Sequence, residues 1–143
     1  MSNTNLRFNA SFWCNLAVAL KNVDQLYGKA ADKANLSVLE WYILRALYAE
    51  DGQQASALAR AVGRAPTSFT PILDKLQENG LIERKPHKED RRALSIYLTQ
   101  KALDMKDSIE SEARLVEDYI TSKMNASDIP GFRSGLLQLQ NIV

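Results

Sequence analysis

Apolar residues recur at three- and four-residue steps through most of the chain, which is the spacing of amphipathic helices. A first helix is predicted from about residue 9 to residue 33. A second begins after Ser37, which forms a capping-box pattern with Glu40. The turn signal Asp51-Gly52 ends it. The first third of the chain is therefore predicted to be helical.

Two short amphipathic helices follow, separated by only a few residues. The first has apolar residues at positions 55, 58, 59 and 62, and the second at 69, 72, 73 and 76. Helices this short must cross steeply to share a core, which predicts a helix-turn-helix. The second helix could begin at Pro66, and Pro71 would then kink it. If Ser68 caps the helix instead, which we favour, Pro71 falls in the first turn and no hydrogen bond is lost.

After Gly80 the apolar spacing changes from helical to alternating. Residues 81–84 and 94–98 predict two strands, and the polar, basic segment 85–92 joins them. A charged hairpin directly after a helix-turn-helix predicts a wing.

The C-terminal third again has helical spacing. Thr99 is expected to cap a long helix that reaches about Met124, and Ser127 to cap a last helix. The inward face of that last helix is expected to comprise Phe132, Leu136, Leu139 and Ile142.

The predicted fold class is mainly α (α+β), a winged helix-turn-helix with a two-stranded wing and long terminal helices. The whole chain, residues 1–143, is interpreted as a single domain. Residues 36–99 form its winged-helix DNA-binding lobe, and residues 1–35 and 100–143 form a helical dimerisation region. The long terminal helices carry more apolar surface than a small winged core covers, so a homodimer is expected.

Composition and charge narrow the class of protein. The hydrophobic (45%) and charged (24%) fractions are those of a globular chain. The sequence shows no membrane span, no signal peptide and one cysteine, so we expect a soluble, cytoplasmic protein that does not bind membranes. Eight basic and five acidic side chains lie between Arg60 and Arg92, which gives that stretch a charge of +3 and leaves −2 elsewhere. A basic third on a neutral body fits contact with nucleic-acid phosphates.

Four segments together resemble the MarR family of transcriptional regulators. They are residues 58–63 (LARAVG), 73–84 (LDKLQENGLIER), 90–93 (DRRA) and 98–99 (LT). The resemblance implies a homodimer that binds pseudo-palindromic, double-stranded operator DNA as a repressor. It also implies that a small, often aromatic, effector releases the DNA by binding between the dimerisation region and the DNA-binding lobe.

The candidate DNA-binding residues lie on the recognition helix and the wing. On the helix they are Arg64, Thr67, Ser68, Thr70, Pro71 and Lys75, and on the wing Arg84, Lys85, Lys88, Asp90, Arg91 and Arg92. In the family, the pattern formed here by Asp90 and Arg92 is an acid that orients an arginine inserted in the minor groove. Pro71 occupies a place where an arginine is frequent in the family, so we predict modest base readout and a larger role for wing contacts and DNA shape.

Two further sites follow from the resemblance. The helices that border the family's effector pocket carry Phe12, Trp13, Trp41, Tyr42 and Arg45, a set that would suit an aromatic acid but that also fits plain core packing. Cys14 has no cationic neighbour in sequence that would activate its thiol. It fits a buried small hydrophobe, and a redox-sensing regulator acting through Cys14 is the alternative.

Other classes of protein fit less well. The sequence has no Gly-rich phosphate loop, metal-ligand spacing or nucleophile elbow, so neither an enzyme nor a cofactor is expected. A winged-helix module that binds protein instead of DNA remains the second interpretation.

Overall fold

The computed structural model describes residue 6 and residues 11–64 and 68–143. Seven helices and three strands follow one another along these residues. In chain order they are α1 (Phe12–Lys33), α2 (Val38–Ala49), β1 (Gln53–Gln54), α3 (Ala55–Ala61), α4 (Thr70–Glu78), β2 (Ile82–Pro86), β3 (Leu94–Leu98), α5 (Gln100–Asp104), α6 (Lys106–Ser122) and α7 (Ile129–Gln140). The predicted class, a mainly helical winged helix-turn-helix, is confirmed.

Local hydrogen bonds fix the ends of the first two helices. Ser11 caps α1 by accepting the Cys14 N–H at 3.4 Å. The predicted capping box of α2 is present, because the Ser37 hydroxyl accepts the Glu40 N–H (3.2 Å) and the Glu40 carboxylate accepts the Ser37 N–H (3.0 Å). Between the helices Asn35 adopts a left-handed conformation, which asparagine tolerates, at φ 57°. The turn from α1 into α2 is thus encoded locally.

The recognition helix α4 begins later than either predicted start. It begins at Thr70, with Phe69 at its N-cap, whereas Ser68 lies in a preceding single turn; Pro66 is outside the described residues. Pro71 is therefore in the first turn, where its missing N–H removes no helical hydrogen bond. The preceding helix, α3, ends at Ala61; Gly63 follows with a φ of 68°, and the Arg64 N–H donates back to the Ala59 carbonyl at 2.9 Å.

The sheet has one strand more than the sequence predicts. Strands β2 and β3 form the predicted antiparallel hairpin, with Ile82 opposite Leu98 and Pro86 opposite Leu94. The short strand β1 pairs with the other edge of β3 and gives the order β1-β3-β2. Two polar residues carry no periodicity, so the sequence pattern could not reveal β1.

Two predictions about the C-terminal helices are wrong. The helix predicted to run from Thr99 to about Met124 is broken at Met105 into α5 and α6, although Thr99 does cap its start by accepting the Ala102 N–H at 3.3 Å. Ser127 does not cap the last helix. It lies in a 3-10 turn, and α7 begins at Ile129 after Asp128. The residue that directly precedes α7 is therefore Asp128, and Ser127 lies one position too early for the N-cap.

The core lies where α2 meets the other helices and the sheet. Its largest fully buried apolar side chains are Trp41, Phe69, Ile43, Leu44, Leu47, Leu58, Leu76, Ile82, Ile96 and Ile109. The outer helix α7, in contrast, has no buried residue. Its predicted inward residues Phe132, Leu136, Leu139 and Ile142 stay 37–67% exposed, so within one chain that prediction is wrong.

None of the helices formed by the described residues has the length and apolar character that a membrane crossing requires.

Position 52 requires glycine for two reasons: its backbone is left-handed, and the Tyr97 ring leaves no room for a side chain. Its φ is +75°, and a Cβ there would lie 2.8 Å from Cε1 of Tyr97. We expect Gly52→Ala to lower the free energy of unfolding by about 2 kcal/mol or more, since the left-handed conformation alone costs roughly 1–2 kcal/mol. Urea denaturation measures this loss. The control is Gly63→Ala, which has a φ of +68° but no atom of the described residues within 4 Å of the Cβ, and should lose only the backbone part. Equal losses in the two variants would contradict the contact with Tyr97.

Candidate nucleic-acid interface

The start of the recognition helix and the turn before it expose hydroxyls and a proline, and Lys75 is the exposed cation of the helix. Ser68, Thr70, Pro71 and Lys75 are all exposed, whereas the candidate Thr67 is outside the described residues. The opposite face is apolar, with Phe69, Leu73 and Leu76 buried. A hydroxyl donates to or accepts from several bases, so this surface can bind a groove without a strong preference for one base pair.

Lys75 is held loosely beside a buried carboxylate. Its ammonium lies 3.8 Å from the Glu40 carboxylate, and the Lys75 side chain remains 65% exposed while that of Glu40 is only 2% exposed. The second Glu40 oxygen accepts no hydrogen bond from the part of the chain described. Lys75 thus neutralises a buried charge and still reaches solvent with its ammonium.

The wing tip is a tight turn held by its own backbone and by Asp90. The His87 N–H donates to the Ala93 carbonyl at 2.8 Å, and the Ala93 N–H donates to the Asp90 carbonyl at 3.1 Å. The Asp90 carboxylate accepts the backbone N–H of Arg92 at 3.0 Å. Aspartate often accepts the N–H two residues on, which stabilises a turn. In this structure Asp90 therefore orders the backbone that carries Arg92 and does not contact its guanidinium.

Three cations at the wing tip make no ion pair with any described residue. They are Lys88, Arg91 and Arg92, and all three are exposed. Lys85, nearer the base of the hairpin, pairs with Glu83 at 3.4 Å and lies 5.5 Å from the centre of the Tyr97 ring. The concentration of unpaired positive charge is therefore at the tip.

Arg84 connects the wing to the recognition helix. Its guanidinium donates to the Asp74 carboxylate at 2.6 Å and to the Gln77 side-chain oxygen at 2.8 Å. Its side chain is only 22% exposed. Although the sequence groups it with the wing cations, Arg84 is committed to two partners on α4, and it fixes where the hairpin leaves the helix.

Arg64 is likewise committed to an acid. Its guanidinium lies 3.6 Å from the Asp24 carboxylate of α1, and Asp24 also accepts the Tyr42 hydroxyl at 2.7 Å. Tyr27 packs edge-to-face on Tyr42 with ring centres 5.7 Å apart. Neither Asp24 nor Tyr27 is among the site residues predicted from the sequence. Only their helical spacing on α1 could have drawn attention to them, and it does not reveal their partners.

The five candidate effector residues do not form one site. Phe12 and Trp13 are 71% and 66% exposed at the start of α1, whereas Trp41 is buried in the core. Tyr42 binds Asp24, and Arg45 pairs with Glu110 at 3.4 Å and with Glu117 at 3.9 Å. Cys14 is exposed, so the expectation of a buried cysteine is wrong.

Burial and neighbouring acids raise the pKa of three tyrosines further above their ordinary value. Burial, and to a lesser degree Glu117, raises the pKa of Tyr27. Burial and the hydrogen bond to Asp24 raise the pKa of Tyr42. Burial and Glu110 raise the pKa of Tyr48 to about 12. The Tyr42 hydroxyl therefore keeps its proton and donates it in the hydrogen bond to Asp24.

Two concave regions lie beside the terminal helices α1 and α6. A cavity of about 300 Å³ between α1, α2 and α6 is lined by Trp41, Lys33, Asp104, Ser108 and Glu112, among others. A wider cleft of about 510 Å³ between α1, α6 and α7 is mostly apolar and includes Leu16, Leu20, Tyr27, Phe132 and Leu136. Of the five candidate effector residues, only Trp41 lines either one.

Comparison with known proteins agrees with this geometry. Residues 36–94 match the sequence model of the MarR family. The HTH-type transcriptional regulator SarZ of Staphylococcus haemolyticus is 28% identical over 109 residues, which cover 76% of this chain and 74% of SarZ.

Two solved structures show the same fold. NadR in complex with 4-hydroxyphenylacetate superimposes with a TM-score of 0.80 and 22% identity, covering 99% of this chain and 100% of NadR. The S. aureus MepR–DNA complex gives a TM-score of 0.78 and 18% identity, covering 93% of this chain and 98% of MepR. The winged helix, the match over residues 36–94 and the likeness to SarZ agree: the centre of the chain matches the MarR family, and the chain is similar to transcriptional regulators of that type.

Proposed function

We propose that the chain is a cytoplasmic repressor that binds pseudo-palindromic, double-stranded operator DNA as a homodimer and releases it when a small aromatic effector binds. The observation that carries DNA binding is the group of unpaired cations at the wing tip, Lys88, Arg91 and Arg92. They sit on the same lobe as the exposed hydroxyl surface of α4. MepR, which shares the fold, was solved bound to DNA.

The proposed contacts are of two kinds: contacts that position the protein on the DNA backbone and minor groove, and contacts that read base pairs in the major groove. Lys88, Arg91 and Arg92 are assigned to phosphates and the minor groove, where narrow, electronegative tracts attract arginine. Ser68, Thr70, Pro71 and Lys75 are assigned to the major groove, with modest discrimination between bases. Arg64 and Arg84 are left out of the contact set because acids hold them.

Replacing Arg92 tests the wing. We expect Arg92→Ala to weaken DNA binding about 5- to 10-fold at 0.1 M salt and to reduce the slope of log affinity against log salt by about one. Fluorescence anisotropy across a salt series measures both. Lys29→Ala, which removes an exposed cation from α1, should change neither. Unchanged binding by Arg92→Ala would contradict the wing assignment, and DNA binding without salt dependence in the unaltered protein would favour a protein-binding module.

The proposed homodimer covers the apolar surface of the terminal helices. Large apolar side chains left 37–71% exposed are concentrated there, including Phe12, Trp13, Leu20, Phe132 and Leu137. An apolar surface of this extent on helices at both ends of the chain favours a second copy as its partner. Residues 1–35 and 100–143 are therefore assigned to dimerisation and residues 36–99 to DNA.

A charge on this surface tests the dimer. Leu136→Glu is expected to raise the dimer dissociation constant at least about tenfold, because an unpaired carboxylate would be buried between copies. Sedimentation equilibrium measures the constant, and circular dichroism checks the fold. The control is Leu94→Glu, which places the same charge on an exposed leucine of the wing strand. The dimerisation assignment fails if both variants remain equally dimeric.

The effector is proposed to bind in the cavity beside Trp41. Trp41 lines this cavity, and its buried indole N–H donates to no acceptor among the described residues. Asp104 and Glu112 line the cavity against one cation, Lys33, which already pairs with Glu112 at 3.0 Å. Because acids outnumber cations in this lining, a ligand that accepts the Trp41 N–H is expected to do so with an uncharged group, a hydroxyl or a carbonyl. NadR, which shares the fold, was solved with 4-hydroxyphenylacetate.

Calorimetry with 4-hydroxyphenylacetate and its uncharged amide tests this site. We expect the amide to bind at least as tightly as the acid, since two carboxylates line the cavity. Trp41→Phe should weaken binding about fivefold, the cost of one lost hydrogen bond, while Tyr119→Phe on exposed α6 should not. Equal affinity in the two variants would contradict the assignment of the effector to this cavity.

A further inference from the structure

Arg64 is fixed at both ends. Its backbone N–H donates to the Ala59 carbonyl at 2.9 Å and closes the C-terminus of α3. Its guanidinium crosses to α1 and lies 3.6 Å from the Asp24 carboxylate, with the two side chains 32% and 24% exposed. No other described residue forms an ion pair with Arg64. The residue therefore links the start of the helix-turn-helix turn to the first helix.

Asp24 is held on its other side by an aromatic pair. Its second oxygen accepts the Tyr42 hydroxyl at 2.7 Å. Tyr42 packs edge-to-face against Tyr27, which is buried. A carboxylate with one oxygen bound by a packed phenol has little freedom to turn away, so it presents its other oxygen to Arg64 in a defined direction.

The same stretch of α1 also lines the apolar cleft. Val23 and Tyr27 line the cleft between α1, α6 and α7, and Asp24 lies between them in sequence. This cleft belongs to the surface that we assign to dimerisation. A shift or rotation of α1 therefore moves the cleft and the Asp24 carboxylate together.

We propose that Asp24 and Tyr42 are positioning residues: through Arg64 they transmit the position of α1 to the helix-turn-helix, so that dimer assembly sets the orientation of the recognition helix. The proposal rests on the proposed DNA-binding function. Arg64 then contributes to DNA affinity as part of this link and makes no phosphate contact.

The experiment compares Asp24→Asn, Arg64→Gln, the double variant and the charge swap Asp24→Arg with Arg64→Asp. Each single variant is expected to weaken DNA binding about 3- to 10-fold with an unchanged salt slope, and the double variant should be no weaker than either single one. The swap should recover most of the affinity for DNA, because it restores the ion pair with the positive charge at position 24 and the negative charge at position 64. Tyr42→Phe should weaken binding in the same direction as Asp24→Asn.

Asp32→Asn is the matched control. It removes an exposed acid from the same helix, so it corrects for the general effect of one less negative charge on DNA binding. Sedimentation equilibrium establishes that each variant is still dimeric at the concentration used.

Three results would overturn the proposal. A salt slope reduced by about one in Arg64→Gln, with no recovery in the swap, would make Arg64 a phosphate contact. Tighter DNA binding by Asp24→Asn than by Asp32→Asn would mean that Asp24 withholds Arg64 from DNA. Affinities of the single variants equal to that of the unaltered protein would mean that the pair transmits nothing.

Hydrogen exchange without DNA separates this proposal from the function on which it rests. Asp24→Asn should speed exchange of the amides at 59–64, 68–70, 72 and 73, whereas Asp32→Asn should not. If the unaltered protein binds no DNA but exchange responds in this way, the proposed function fails and the link stands. If the protein binds DNA and exchange does not respond, the link alone fails.

Discussion

Helix α2 packs against α1, α3, α4, α6 and β3 at once. Its side chains Trp41, Ile43, Leu44 and Leu47 are almost completely buried. Burial of one such side chain is worth about 1.5–3 kcal/mol, so this single helix supplies a large share of the stability of a small domain. The capping box fixes where α2 begins, and with it which residues face each neighbour. The recognition helix, the wing strand β3 and the long helices α1 and α6 therefore all take their positions from one buried face.

The basic residues that the sequence groups together fall into two kinds in the structure. Arg64 and Arg84 are bound to acids on other elements, and their role is to join parts of the fold. Lys88, Arg91 and Arg92 have no such partners among the described residues and are exposed. The distinction matters physically, because a cation already paired with a carboxylate must give up that interaction before it gains a phosphate.

Most of the helices could be predicted from the sequence, because an amphipathic period and local caps such as Ser37 depend on residues a few positions apart. The errors have equally specific causes. Strand β1 is too short and too polar to show a period, and the apolar spacing continues across Met105, so the break there is invisible. The wing cations could be predicted from charge. The partners of Arg84 and Arg64 could not, since Asp74 and Asp24 meet them only through the tertiary fold.

Hydrogen bonds attach the start of α5 to the C-terminal end of the recognition helix. The Thr99 hydroxyl donates to the Gly80 carbonyl at 2.6 Å, and the Lys101 ammonium donates to the Asn79 carbonyl at 2.8 Å, so both bind the end of α4. The helical hydrogen bonds are interrupted only afterwards, at Met105. A hinge between the two halves of the molecule would thus lie at Met105, several residues beyond the lobe boundary at Thr99. Two recognition helices that change their separation in a dimer would each carry α5 with them and turn about that single residue.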